Sequence, residues 1–198
     1  MEEHERRYYE LRGPEYDDWY RGVGLHAARE RPGWHEETRR LEALVASLEG
    51  DRVLDAACGT GFLTRHLRGD VTELDQSRTM LAIARGRCPD VRFVEGDALS
   101  TRFADRTFDL VFTAHFYGHL RDAARERFLD DARRLAPRLV VVDTARRGDT
   151  PAEALDERTL SDGSRHTVYK RYFEPDALAA ELGGEVLFAG RWYVAAAA

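Results

Sequence analysis

The period of apolar positions changes twice along this chain. In the first fifty residues it is helical. An aromatic-rich stretch runs from Glu15 to about Glu30, Pro32-Gly33 interrupts it, and over 36–48 Leu41, Leu44, Val45 and Leu48 keep helical spacing before Gly50. From Arg52 onward, short apolar runs at 53–57, 71–74, 91–94, 108–113 and 139–142 read as buried strands. The segments 61–67, 78–87 and 122–135 between them read as helices. Strands alternating with helices need crossover connections, so the pattern predicts a doubly wound α/β fold, a mostly parallel sheet with helices on both faces. A charged segment follows at 145–165, with turns at Gly148-Asp149 and Asp162-Gly163. Then come a strand near 166–173, a helix at 175–182, a last strand near 186–194 and an alanine tail at 195–198. The final two strands are expected at one edge of the sheet.

Composition narrows the function classes. The 198 residues fit one domain with a proper core, and the formal charge of −6 counts against a general nucleic-acid binder. No apolar run approaches the roughly 20 residues that span a bilayer. The start, Met1-Glu2-Glu3-His4-Glu5-Arg6-Arg7, leads into no signal-type core. Cys58 and Cys88 suggest neither a disulfide nor a metal framework, so the expected location is the cytoplasm and no metal is expected.

In sheets of this type ligands bind at the carboxyl ends of the strands, near the switch in strand order. Those ends carry Asp55 with the turn Cys58-Gly59-Thr60-Gly61, then Asp75, then Asp97-Ala98, then His115, Tyr117 and His119, then Asp143. Gly59 and Gly61 tighten the turn and admit a ligand to the main chain. The third glycine of the dinucleotide fingerprint is replaced by Thr64. Asp55 would repel a pyrophosphate on this turn, whereas it suits a ligand with an ammonium, a sulfonium and no phosphate. S-adenosylmethionine is such a ligand. Asp55 then faces the ammonium, Asp75 the ribose hydroxyls, and Asp97 the adenine amino group beside the Ala98 N–H.

The motifs Val53-Leu54-Asp55-Ala56-Ala57-Cys58-Gly59-Thr60-Gly61, Glu73-Leu74-Asp75-Gln76-Ser77, Val94-Glu95-Gly96-Asp97-Ala98 and Phe108-Asp109-Leu110-Val111 occur in that order. In them the chain resembles the class I S-adenosylmethionine-dependent methyltransferases, in particular their small-molecule group. Ala57 departs from a position where that family often has glycine. The resemblance covers 52–142 well and the tail more loosely. It implies a Rossmann-like seven-stranded sheet whose last strand inserts antiparallel. It also implies a methionine end held by Asp55, Ala57, Gly59, Thr60 and Gly61, with Asp75 and Gln76 at the ribose and Asp97 and Ala98 at the base. Tyr16, within Pro14-Glu15-Tyr16-Asp17-Asp18-Trp19-Tyr20, is expected to cover the cofactor from a lid helix. The resulting division is a helical cap at 1–50, a cofactor-binding core at 51–144, and a substrate-side loop with C-terminal strands at 145–198.

His115 and His119 follow the fourth strand, where the transferable methyl would point, and are the candidate general bases, with His115 also a cofactor contact. Their spacing does not make a metal pair, because Gly118 breaks the helix and no third ligand accompanies them. Arg165, His166, Lys170 and Arg171 are candidates for contact with an acidic substrate. The leading expectation is methyl transfer to an O, N or C nucleophile of a small molecule. The alternatives are a methyltransferase acting on RNA or protein, a cofactor-binding protein that does not methylate, and, less favoured on charge, a nicotinamide dehydrogenase.

Overall fold

The computed structural model describes residues 3–148 and 150–198; Met1, Glu2 and Asp149, the last with half of the Gly148-Asp149 turn, lie outside the described residues. Nine strands occur among the described residues: β1 Arg52–Ala56, β2 Asp70–Asp75, β3 Arg92–Glu95, β4 Leu110–Ala114, β5 Leu139–Thr144, β6 Glu153–Thr159, β7 Arg165–Arg171, β8 Glu185–Ala189 and β9 Tyr193–Ala197. The helices are α1 Glu3–Arg12, α2 Asp18–Arg21, α3 Trp34–Ala46, α4 Arg78–Arg87, α5 Asp122–Leu135 and α6 Pro175–Leu182. Seven strands form one sheet in the order β3-β2-β1-β4-β5-β9-β8, while β6 and β7 pair separately. The strands β1 to β5 run parallel, and β9 lies antiparallel to both β5 and β8. This is the expected Rossmann-like sheet with its last strand inserted antiparallel.

The continuous apolar runs exist because the central strands are covered on both faces. In β5, Val141 packs with Phe128 and Leu129 of α5 and Leu178 and Leu182 of α6. Its neighbours Val140 and Val142 point the other way, into a core with Leu41 and Val45 of α3. The strand order reverses between β1, which pairs β2, and β4 on its other side. That opens the crevice at their carboxyl ends where a ligand can sit.

Four local expectations are corrected. The segment 61–67 holds only a single 3-10 turn, Thr64–His66, and Gly69, with φ 93°, turns the chain into β2 at Asp70. The aromatic stretch 15–30 is not one helix: α2 is four residues long and ends at Gly22, whose φ is 68°. A 3-10 turn, Gly24–His26, follows it. The strand at 165–171 does not join the sheet edge. It pairs instead with β6, which lies inside the charged segment expected to be a loop. Charged residues on both faces of β6 erase the alternation that would have revealed it. Last, 186–194 is two strands, and the alanine tail is central. Ala195, Ala196 and Ala197 are buried in β9, between β5 and β8. Alanine has little intrinsic strand preference, so pairing on both sides decides its state.

Candidate active site

The turn after β1 is built by backbone conformations that side chains disfavour. Ala57, Gly59 and Gly61 have φ of 61°, 58° and 69°. A methyl group placed on Gly59 would meet only Tyr16 Cε1, at 3.9 Å, so this face of the main chain is open to a ligand. Gly61 points the other way, toward Glu73 and Cys88, and borders none of the cavities described below. Its role is to pack the turn onto the sheet. The carboxylate of Asp75, at the end of β2, ties the turn down: Oδ2 accepts from the Gly59 N–H at 2.9 Å and Oδ1 from the Ser77 N–H at 2.8 Å.

Asp55 is only 2% exposed. Its Oδ2 accepts from the Thr64 hydroxyl, while Oδ1 is buried without a partner. Burial pushes its carboxyl well above the usual range; Thr64 opposes the rise, and Glu73 and Asp75 add to it. A cationic group beside Oδ1 would relieve that cost. Asp55, Thr60 and Ala57 border a small cavity with Tyr16 and Tyr20. Thr60 has its side chain committed elsewhere. Its hydroxyl donates to Asp17 Oδ1 at 2.6 Å, and Arg87 donates to its carbonyl at 2.6 Å and to Asp17 Oδ2. This three-way clasp fastens the N-terminal segment over the turn.

A second cavity is bordered by Ala57, Gly59, Asp75, Gln76, Asp97, Ala98, His115 and His119, beneath Tyr9 and Tyr16. Among the described residues no lysine or arginine borders it. Asp97 accepts the Leu99 N–H at 2.9 Å through Oδ1. Of the candidate residues at the three strand ends, Ala57, Gly59, Asp75, Gln76, Asp97 and Ala98 border this crevice, Asp55 and Thr60 border the small cavity instead, and Gly61 borders neither. An acidic, cation-free lining and an unpartnered buried carboxylate oxygen fit S-adenosylmethionine.

The third cavity, of about 430 Å³, shares Tyr9, Tyr16, His115 and His119 with the second. His115 sits at the junction with φ 57°, a strained conformation for a non-glycine residue. Its ring packs edge-on to Trp19, with centroids 5.0 Å apart, and its Nε2 is buried without a partner. Nδ1 lies 4.0 Å from Asp143 Oδ1. Burial lowers its pKa to about 4, with Asp143 opposing and Lys170 assisting, so the imidazole is neutral at pH 7. His119 Nδ1 donates to the Tyr169 carbonyl at 2.7 Å, which leaves Nε2 as the lone-pair nitrogen. Its pKa is also well below normal, from burial first and then Lys170.

Lys170, on β7, is buried against Asp143 Oδ1, whose carboxylate also accepts the Gly118 N–H at 2.7 Å and the Thr144 N–H at 2.7 Å. Gly118 is required here. A methyl group on it would come within 2.7 Å of the Arg171 carbonyl and 2.8 Å of Lys170 Nζ. Of the four residues proposed for an acidic substrate, Lys170 alone borders the third cavity. Arg165 pairs with Glu157, Arg171 pairs with Glu181, and His166 Nε2 shares a hydrogen bond with Ser164. Sequence reasoning missed the arginines that do border it: Arg12, Arg29, Arg31, Arg147 and Arg158. Nothing in their spacing signals convergence, since they come from four separate segments.

Comparison with known proteins bears on this geometry. Residues 53–137 match the family model described as a methyltransferase domain. The chain is 36% identical over 105 residues to demethylmenaquinone methyltransferase of Thermotoga maritima, covering 50% of this chain and 45% of that protein. It is 32% identical over 161 residues to malonyl-[acyl-carrier protein] O-methyltransferase of Enterobacter lignolyticus, covering 76% of this chain and 62% of that one. The chain therefore spans about half of these curated relatives. Among solved structures, DhpI in complex with SAH superposes with a TM-score of 0.73 and 29% identity, covering 98% of this chain and 94% of that one. DhpI with SAM and HEP gives 0.73 and 27%, covering 100% and 98%.

Proposed function

We propose that this chain, which belongs to the class I S-adenosylmethionine-dependent methyltransferases, transfers a methyl group to an O, N or C nucleophile of a small molecule held in the 430 Å³ cavity. The observation that carries the reading is the junction of two cavities of unlike chemistry. One is acidic and backs onto the glycine turn; the other is larger and lies under the N-terminal segment. Tyr9, Tyr16, His115 and His119 border both.

The cofactor, when bound, supplies an electrophilic methyl carbon on a sulfonium. Asp55, Ala57, Gly59 and Thr60 are proposed for its methionine end, with Gly61 shaping the turn, Asp75 and Gln76 for the ribose, and Asp97 and Ala98 for the base. Tyr16 covers this crevice, held there by the Asp17–Thr60–Arg87 clasp, and excludes water. His115 Nε2 is proposed to accept a proton from the nucleophile where one must leave. It is neutral and unpartnered, and it stands between the cavities. His119, its ring oriented by the Tyr169 carbonyl, is the second proton acceptor. Fixing the acceptor against the methyl carbon supplies much of the acceleration.

We assign residues 1–50 to a cap, 51–144 to the cofactor core and 145–198 to the acceptor side. We place the chain in the cytoplasm, in keeping with its two free thiols; no helix is long and apolar enough to cross a membrane among the described residues. Incubating the protein with S-adenosylmethionine and fractionated metabolites, and reading products by intact mass, tests the activity. A product in which a methyl group replaces one hydrogen is expected. S-adenosylmethionine binding without any methylated product across broad acceptor pools would favour a cofactor-binding protein that does not methylate.

A further inference from the structure

Among the described residues, six cationic side chains border the 430 Å³ cavity, Arg12, Arg29, Arg31, Arg147, Arg158 and Lys170, and Glu30 is the single carboxylate residue on its wall. In a chain of net charge −6 this is a local reversal of sign. Two of the six are neutralised in place, Lys170 by Asp143 and Arg158 by Asp156 at 2.6 Å. The other four have no carboxylate partner among the described residues. Arg12 is buried, donates to the Tyr8 hydroxyl at 2.6 Å, and lies over the rings of Tyr8 and Tyr16. Arg31 donates to the Trp19 carbonyl at 2.7 Å and stacks 4.0 Å from the centre of Trp34, while Arg147 lies over Trp192.

Repulsion among these guanidiniums shows at Arg29 and Arg31, whereas Arg12, although its burial disfavours the charge, titrates above an ordinary arginine because Tyr8, Tyr16 and Tyr9 favour it. Arg29 titrates below an ordinary arginine, from partial burial and then from Arg158 and Arg12; Arg31 does so from burial and then from Arg29. The neighbouring His26 is driven down to about 4, by burial and then by Arg29, Arg12 and Arg31. Aromatic faces, a hydroxyl and a carbonyl orient Arg12, Arg31 and Arg147 without cancelling them, and Arg29 is exposed at the rim, which leaves the donors of a rigid fork free to meet a planar or tetrahedral oxyanion. Like charges held together with no counter-charge are costly to the fold. Such an arrangement is expected where a ligand brings the opposite sign.

We infer that the acceptor is a small molecule bearing a doubly charged oxyanion, held by the Arg12–Arg29–Arg31–Arg147 cluster so that its nucleophilic atom faces His115 and the cofactor crevice. This rests on the methyltransferase reading only for its second half; the oxyanion site stands on the cavity itself. Phosphoryl and dicarboxylate groups share the required chemistry, and the cavity volume limits the molecule to metabolite size.

Calorimetric titration of the full chain with ethyl phosphate, with succinate and with uncharged ethylene glycol tests the inference, with S-adenosylmethionine titrated alongside. At least one oxyanion should bind, lose affinity as salt rises, and weaken at least tenfold in the Arg29→Gln/Arg147→Gln double variant. S-adenosylmethionine affinity should stay the same in that variant, which also shows that it is folded. The tighter of the two oxyanions identifies the headgroup. The inference is overturned if neither oxyanion binds, if ethylene glycol binds as well, or if the double variant binds the oxyanion like the parent. Failure of S-adenosylmethionine alone to bind would instead remove the methyltransferase reading and leave the anion site standing.

Discussion

The two cavities that meet at His115 are opposite in almost every physical respect. The crevice at the strand ends carries Asp75 and Asp97 and no lysine or arginine among the described residues, and it is set by consecutive turns of a parallel sheet beneath Tyr9 and Tyr16. The larger cavity is cationic and aromatic, walled by long side chains from α1, the turns before α3, the β5–β6 connection and the β6–β7 hairpin. The first is a property of the sheet, so any chain folding this way builds it from local sequence. The second is assembled from distant segments that have only their position in common. Only Tyr9, Tyr16, His115 and His119, among the described residues, stand between these two unlike linings.

The largest test of this contrast strikes the cationic side. Lys170→Met leaves Asp143 buried with its main counter-charge gone, and unfolding by denaturant should show a loss of about 3–5 kcal/mol. The double variant Asp143→Asn/Lys170→Met removes both charges and should recover part of that loss. Equal losses in both would mean that the pair is not a unit.

Acid should discriminate next. The folded pKa of His115 is about 4, against about 6.5 in an unfolded chain, so the unfolded state binds the extra proton between those values. Stability attributable to His115 is therefore fully present above about pH 6.5 and falls by about 3 kcal/mol as pH drops toward 4. His115→Gln should flatten that slope; an unchanged pH profile would contradict the burial of a neutral imidazole.

On the acidic side, Asp75→Ala removes a carboxylate that both braces the Gly59 N–H and faces the crevice. S-adenosylmethionine should bind at least tenfold more weakly, equivalent to about 1.4 kcal/mol. Retained affinity would displace the ribose from Asp75. The smallest effect belongs to Ala57→Gly. Alanine at φ 61° carries strain of about 1–2 kcal/mol, and glycine's greater backbone freedom in the unfolded chain offsets about 0.5–1 of it. A stabilisation below about 1 kcal/mol is expected in thermal unfolding.

The same contrast explains what the sequence made legible. Strands β1 to β5 and helices α4, α5 and α6 announce themselves through apolar runs, periodicity and breakers, and the strand-end acids follow from them. Lys170 was visible as a residue but not as a buried one, because β6 and β7 carry charge on both faces and hide their pairing. Arg12, Arg29, Arg31 and Arg147 lie in turns and at a helix end, where no period predicts direction. Their convergence is a tertiary fact. The alanine tail is a further case: the last expected strand stops at 194, and only the gap between β5 and β8 makes the tail part of one.

The ligand of the acidic crevice is the most direct point of test. Titrating the full chain with S-adenosylmethionine and, separately, with NAD in the same buffer compares a cationic, phosphate-free cofactor with a pyrophosphate. Saturable binding of S-adenosylmethionine with no heat from NAD is predicted. Binding of NAD without S-adenosylmethionine would contradict the reading of Asp55, Asp75 and Asp97 as one cation-tolerant site.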